Sequence, residues 1–403
     1  MRIGTNEEYH LTYCTNIHPA SGWDEVLTAL RHYAPALKAR FAPDRPFGIG
    51  LRLSGLESVE LLREEQLRDF RAFLDAAGLY VFTLNGFPYG PFHRQAVKAD
   101  VHAPDWRDEE RVAYTLRLVE ILAALLPPGM EGSISTSPLS YKGWVDQGDA
   151  GMWEHVARNV ARVAEVLARV RREREVFIHL DIEPEPDGLL ENSREVVRFY
   201  EDWLVPVGGP MLADALALPV PEARTLLLDH VRVCFDTCHV AVAYEEPGEV
   251  LDRLTAAGIK VGKVQISSAL KLELPDDTAG REAMGEALRP FAESTYLHQV
   301  VQRNRDGSFH QYPDLSEALP AINQPEAAEW RIHFHVPIFV ESYGTFGSTQ
   351  EGIRRTFNLL AQHPFTRHLE IETSTRAVLP PDLKADLLDS IGREYQWVRD
   401  VFV

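Results

Sequence analysis

Short apolar runs alternate with longer amphipathic stretches along almost the whole chain, and no other feature of the sequence restricts the fold as strongly. Strand-like runs fall at 11–16, 47–54, 79–86, 132–137, 176–183, 231–236, 260–267, 332–339 and 368–373. Helix-like stretches separate them at 23–41, 64–77, 106–126, 151–172, 192–205, 247–257 and 349–362, and a last one starts from Pro381. Strand-then-helix repetition implies a parallel sheet with helices packed outside it. Several runs are apolar on both faces, as a fully covered sheet requires. The expected fold is therefore α/β, a (β/α)8 barrel taking in residues 1–403 as a single domain. Nine runs compete for eight places, so either 11–16 or 47–54 is expected to lie outside the ring.

The 403 residues exceed the roughly 250 of a plain barrel, which leaves room for an insertion. It is expected at about 268–331, where consecutive strands are separated by far more than an ordinary loop. Inside it, the runs 295–303 and 308–312 flank Asn304-Arg305-Asp306-Gly307, and Asp-Gly between two such runs predicts a β-hairpin. Such a hairpin could be a lid at the functional end of the barrel or, equally, a plain surface decoration. His298 and Arg303 on it are candidate substrate contacts.

Composition narrows the function. A net charge of −19 argues against a nucleic-acid or anionic-membrane partner, either of which favours a basic footprint. No apolar run approaches the length of a membrane span, and the first residues lack the apolar segment of a signal peptide. Three cysteines (Cys14, Cys234, Cys238) are too few for a disulfide framework, so a reducing, cytoplasmic setting is expected. Homo-oligomerisation stays open.

In a barrel the carboxyl ends of the strands converge, so ligand-type residues there can meet although far apart in sequence. The run at 231–236 ends on Asp236, and His239 follows where the chain leaves the strand. The pair suits a metal site, although Asp236 could equally cap the next helix. Asp181, Glu183 and Glu185 share a strand face, and Glu183, where the prolines stop the strand, is the best ligand candidate. A solvated acidic loop is the plainer reading. His333 and His335, two apart on one strand, make a natural bidentate pair for a transition metal. Glu370 and Glu372 repeat the geometry with carboxylates, Glu372 being nearer the mouth. Gln265 offers a weak oxygen ligand. The Gly/Pro-rich loop carrying Asn85, Tyr89 and His93 could wall a sugar-sized pocket or simply pack on the rim, and Lys142 follows another strand end.

These motifs, Ile182-Glu183-Pro184, Asp236-Thr-Cys-His239, His333-Phe-His335 and Ile371-Glu372-Thr373, resemble the xylose-isomerase-like TIM-barrel superfamily, which holds sugar isomerases, ketose 3-epimerases and endonuclease IV. More narrowly, Tyr13-Cys-Thr-Asn-Ile-His-Pro19, Asn85-Gly-Phe-Pro-Tyr-Gly-Pro-Phe-His93 and His298-Gln-Val resemble the EboE family of metabolite-traffic proteins, over nearly the whole chain. The superfamily resemblance implies metal-ligand roles for Glu183, Asp236 and Glu372, and a substrate or second-metal role for His239. Two departures stand out: Gln265 occupies the place of a metal-binding histidine, and His333 that of an aspartate.

The function expected is metal-assisted isomerisation or epimerisation of a sugar, sugar phosphate or cyclitol, with Glu183 and Glu372 as paired acid and base. One metal would engage Glu183, Asp236, Gln265 and Glu372, and a second His239, His333 and His335. The mixed donor set suits Mn²⁺, Co²⁺ or Zn²⁺. The alternatives are a non-catalytic barrel that binds and hands on a metabolite, and an endonuclease IV-like phosphoesterase acting on a small phosphate ester.

Overall fold

The computed structural model describes residues 1–88, 98–292, 297–373 and 386–402. Seven strands follow one another with helices between them: β1 (Tyr9–Tyr13), β2 (Phe47–Arg52), β3 (Leu79–Gly86), β4 (Gly132–Thr136), β5 (Ile178–Ile182), β6 (Val231–Asp236) and β7 (Val261–Ile266). The chain then leaves the ring to build an antiparallel sheet from β8 (Ala269–Glu273), β9 (Val300–Asn304), β10 (Phe309–Tyr312), β11 (Ala327–His335), β12 (Ser342–Tyr343) and β13 (Phe346–Ser348). It returns through the helix Gln350–Gln362 to β14 (His368–Ile371). Parallel ladders run from β2 through β3, β4, β5, β6, β7 and β14 to β1. A parallel bridge between Cys14 and Gly50 joins β1 back to β2. Eight strands therefore close a (β/α)8 barrel.

The runs at 11–16 and 47–54 both belong to the ring, contrary to expectation. The ninth is the run at 332–339, whose residues up to His335 lie in β11 of the inserted sheet. The inserted sheet also continues to Ser348, past the expected boundary at 331. The predicted hairpin is present: β9 and β10 pair antiparallel across a turn in which Gly307 takes φ +85°, a conformation that favours glycine.

Outward side chains of the barrel strands, such as Ile49, Leu51, Val81, Leu84 and Leu180, are buried under the helices. The interior is polar instead of the branched aliphatic layers common in such barrels. Lys263 and Glu370 form a fully buried ion pair at 2.7 Å. Asn85 donates to both Glu370 oxygens (2.9 and 3.0 Å) and accepts from Ser135 (3.0 Å) and Gln265 (2.9 Å). Deeper still, His179 bonds Asp181 (2.5 Å) and His368 bonds Ser133 (2.8 Å). Such groups fit only where the facing strand has no side chain. A Cβ at Gly50 would overlap the Glu370 carboxylate, and one at Gly262 the Asp181 carboxylate.

The inserted sheet has an apolar core of its own, to which Leu270, Leu272, Val300, Trp330, Ile332 and Phe334 contribute. Along β11 the residues Trp330, Ile332 and Phe334 face that core. By strand parity Arg331, His333 and His335 face the other way, toward the barrel. The sheet is fastened to the helix Thr237–Val242. Cys238 and Val242 pack on Ala269 and Val301, and Arg331 bonds the Ala241 carbonyl at 2.7 Å while lying 3.9 Å over the Tyr244 ring. Among the described residues no single helix is long and apolar enough to cross a membrane.

The crowding inside the barrel is testable. Gly262→Ala should cost about 1–3 kcal/mol through overpacking, read from urea unfolding. Gly248→Ala, where a Cβ meets nothing within 4 Å, should shift stability by less than about 0.5 kcal/mol. Equal behaviour of the two variants would mean that the Asp181 carboxylate does not require the glycine.

Candidate metal centre

The mouth of the barrel is built from strand ends. Asp236 closes β6 and caps the helix Thr237–Val242: its Oδ1 accepts from the His239 amide (2.9 Å) and from Ser267 Oγ (2.7 Å). Its Oδ2 is buried without a hydrogen-bond partner. Capping and site-building thus use one oxygen each of the same carboxylate. Glu183 follows β5, its amide held by the Thr136 carbonyl (2.9 Å), and its Oε2 is likewise buried and unpartnered. Glu372 follows β14, with its amide on the Ile266 carbonyl (3.0 Å) and its Oε1 accepting from Asn16 Nδ2 (2.9 Å). One oxygen from each of Glu183, Asp236 and Glu372 falls within 4.8 Å of the other two.

Three carboxylates this close repel one another in a medium that screens weakly. Burial first, then the charges of Glu372 and Asp236, push the Glu183 carboxyl well above the ordinary range. The same causes, burial and then Asp236 and Glu370, push Glu372 up to about 8. The buried ammonium of Lys263 does not cancel the cluster, because it is committed to Glu370 (2.7 Å) and Ser135 (3.1 Å).

Three imidazoles stand beside the carboxylates. His239 Nδ1 bonds the Pro184 carbonyl (3.0 Å), His333 Nδ1 the Gln299 Oε1 (2.9 Å) and His335 Nδ1 the Glu372 carbonyl (3.1 Å). Gln299 is oriented by its own Nε2, which donates to the Pro186 carbonyl at 3.3 Å. Every partner is an acceptor only, so each proton sits on Nδ1 and each Nε2 carries a lone pair. His239 Nε2 and His333 Nε2 lie 3.0 Å apart, and His335 Nε2 is buried without a partner. Two lone pairs at that distance repel unless a cation or a proton lies between them. Burial holds His239 and His333 well below the usual histidine range, so a proton is poorly retained. Imidazoles that spend Nδ1–H on a carbonyl and present Nε2 have the arrangement of metal ligands. Ligand atoms of Asp236, His239 and His335 lie within 4.8 Å of one another, as do those of Glu185, His239 and His333. The donor set therefore fits one or two divalent cations.

Two of the three histidines, His333 and His335, come from the inserted sheet. The β11–β8 ladder shifts register between Ile332 and His335. Such a bulge bends the strand and re-aims side chains.

Other candidates are placed elsewhere. Asn85 is not a pocket wall; its hydrogen-bonding capacity is spent on Glu370, Ser135 and Gln265 inside the barrel. Gln265 lies in the same layer, with Oε1 left without a partner. Glu370 sits deeper than Glu372, fully buried against Lys263 and Asn85. Lys142 is held by Glu191 and Glu195. Arg303 pairs with Glu329 (2.8 Å) on the inserted sheet and lies over Tyr244, away from the carboxylates. His298 is buried against Phe334, near enough to His333 to act on it electrostatically. Tyr89 and His93 lie outside the described residues. Gln299 and His102 went unidentified as site residues in the sequence, and Asn16 was marked only by the motif Tyr13-Cys-Thr-Asn-Ile-His-Pro19. Only the parity of Glu185 with Glu183 marked it there.

No protein-family model and no curated protein matches this sequence. Among solved structures, the fold is similar to that of a xylose isomerase-like TIM barrel protein from Mycobacterium smegmatis in complex with magnesium. The TM-score is 0.53 at 12% identity, over 99% of this chain and 98% of that one. A xylose isomerase domain protein from Planctomyces limnophilus gives a TM-score of 0.49 at 12% identity, over 97% and 95% of the two chains. The IOLI protein with a binding zinc atom gives 0.43 at 13% identity, over 98% of each chain. The chain has the xylose isomerase-like TIM-barrel fold.

Proposed function

We propose that this protein is a metal-dependent isomerase or epimerase acting on a small polyhydroxylated molecule at the carboxyl-end mouth of the barrel. One observation carries this reading: Glu183, Asp236 and Glu372 bring three oxygens within 4.8 Å of one another, and Glu183 Oε2 and Asp236 Oδ2 have no hydrogen-bond partner. Glu183, Asp236 and Glu372 would hold one divalent cation, with Gln265 Oε1 available from the layer below. His239, His333 and His335 would hold a second. The magnesium complex of the Mycobacterium smegmatis barrel supports the use of this fold to bind a cation; the imidazoles here favour Mn²⁺, Zn²⁺ or Co²⁺.

A bound divalent cation supplies the charge that polarises a carbonyl and its neighbouring hydroxyl. Glu183 Oε2 takes the proton from the carbon next to that carbonyl. In an epimerisation a protonated Glu372 returns a proton to the opposite face of that carbon; in an isomerisation the proton goes to the neighbouring carbon while the hydroxyl proton passes to the former carbonyl oxygen, and a proton moved from Glu183 to Glu372 through solvent then resets the pair. Asn16 fixes one Glu372 oxygen and leaves the other for this work. The EboE resemblance supports a second reading, a barrel that binds and hands on its metabolite, and turnover separates the two.

Protein purified without added metal should carry close to stoichiometric Mn, Zn or Co by elemental analysis, and an Asp236→Ala, His335→Ala double variant should lose it. A native chain that takes up none on titration would remove the basis of the proposal. Glu183→Gln should lower turnover by about 10²–10⁴-fold with the circular dichroism spectrum unchanged; full activity in that variant rules out the paired carboxylates.

Uptake should also depend on pH. Glu372, held up to about 8, and Glu183, held higher than usual, must release protons for a cation to bind. His239 and His333 lie well below their usual range and have no proton to give near neutrality. Affinity should therefore rise between about pH 6 and pH 8, with proton release seen by calorimetry in two buffers. A flat profile across that window counts against the carboxylate site.

A further inference from the structure

Buried polar atoms continue from the metal centre toward the loops that follow β3 and β4. Glu185 shares a group with His239 and His333, and its Oε1 is buried with no hydrogen-bond partner. Opposite it, at 3.5 Å, stands His102 Nδ1, also buried and also unpartnered. His102 is not a loosely held loop residue. The fully buried Arg111 donates to the carbonyls of His102 (3.2 Å), Pro104 (2.6 Å) and Gly86 (2.9 Å), and so ties this loop to the end of β3.

Beyond His102 lie two aromatic rings. Tyr141 is 5.6 Å and Trp144 6.4 Å from the imidazole, and they are 5.6 Å from each other. Trp144 is 37% exposed. A line therefore runs from the metal centre through a carboxylate and an imidazole to an aromatic rim open to solvent. Leaving two buried polar groups unsatisfied is costly, and a hydroxyl that accepts from one and donates to the other would satisfy both. The rings offer a flat surface for the C–H face of a sugar or cyclitol.

Charge selects among such molecules. Lys142 is taken by Glu191 and Glu195, Arg107 by Asp105, and Arg111 by three carbonyls. Burial holds His102 down to about 4, so its ring is uncharged. Among the described residues, a phosphate here would meet no side-chain cation left unpaired.

We propose that His102, Glu185, Tyr141 and Trp144 form the subsite for an uncharged, hydroxyl-bearing part of the substrate, which makes that substrate a free sugar or cyclitol and not its phosphate ester. This rests on the reading of the neighbouring centre as a metal site.

The test is calorimetric titration of the protein as purified, its metal content measured on the same sample, with myo-inositol, D-fructose and D-glucose and with their monophosphates. At least one free polyol should bind, more tightly than its monophosphate. Trp144→Ala, at a partly exposed position, and His102→Leu should each weaken that binding at least tenfold with metal content unchanged. Tighter binding of the monophosphates, or undiminished polyol binding by Trp144→Ala, would overturn the subsite. Metal present with no probe bound would overturn it too, while leaving the metal centre standing. Polyol binding that needs Trp144 in protein without metal would uphold the subsite and overturn the metal reading beneath it.

Discussion

Three carboxylates and three imidazoles are held in one buried pocket with their free electron pairs turned toward one another, and much of the surrounding structure serves to keep them there. Left alone, such groups would separate or take up protons. Here each is pinned from behind: Asp236 by Ser267 and a helix amide, Glu372 by Asn16, and the imidazoles by Pro184, Gln299 and Glu372 itself. Three of these six groups are backbone atoms just beyond strand ends, which a closed ring holds more rigidly than loops could. A pocket pre-organised against its own repulsion is complementary to positive charge before any cation arrives.

The polar layer beneath the mouth belongs to the same design. Lys263 lowers the proton affinity of both Glu183 and Glu372, while its partner Glu370 raises that of Glu372. The ion pair therefore presents little net charge to the cluster above it and leaves the acidic character of the mouth intact. Gln265 bridges the two layers: its Nε2 is spent on Asn85, and its Oε1 is left unpartnered. Where the resemblance led to an expected imidazole on this strand, the chain has an amide oxygen. Two of the three imidazoles, His333 and His335, come instead from the inserted sheet.

That relocation explains what the sequence made legible and what it hid. Strand-end residues Glu183, Asp236 and Glu372 were readable because a (β/α)8 ring forces them to converge whatever the loops do. The place of His333 and His335 was misread, since a short apolar run looks alike in a barrel and in an antiparallel sheet. The distinguishing signal was present: β11 alternates strictly, with Trp330, Ile332 and Phe334 on one face and Arg331, His333 and His335 on the other. The barrel strands β1 and β2 are buried at every residue. Period-two alternation marks a sheet with one covered face, so this strand could have been set apart from the ring. Asn85 and Arg303 could not have been sorted this way. Asn85 is a core residue only because Glu370, Ser135 and Gln265 arrive from three other strands, and Arg303 is bound by Glu329 within the insertion. Both are long-range pairings.

In the proposed reading, drawing ligands from two separately cored units has a thermodynamic consequence. The inserted sheet has its own apolar core and meets the barrel around Cys238, Val242, Ala269 and Val301, through Arg331 on the Ala241 carbonyl, Gln299 on the Pro186 carbonyl and His335 on the Glu372 carbonyl. The 3.0 Å approach of His239 Nε2 to His333 Nε2 works against that interface. A cation shared by these two nitrogens would turn the repulsive contact into an attractive link between the units. Anything bound only in the docked state stabilises docking by mass action. Metal occupancy and the position of the inserted sheet are then one equilibrium, and the barrel's catalytic mouth is completed by the ion it is built to hold.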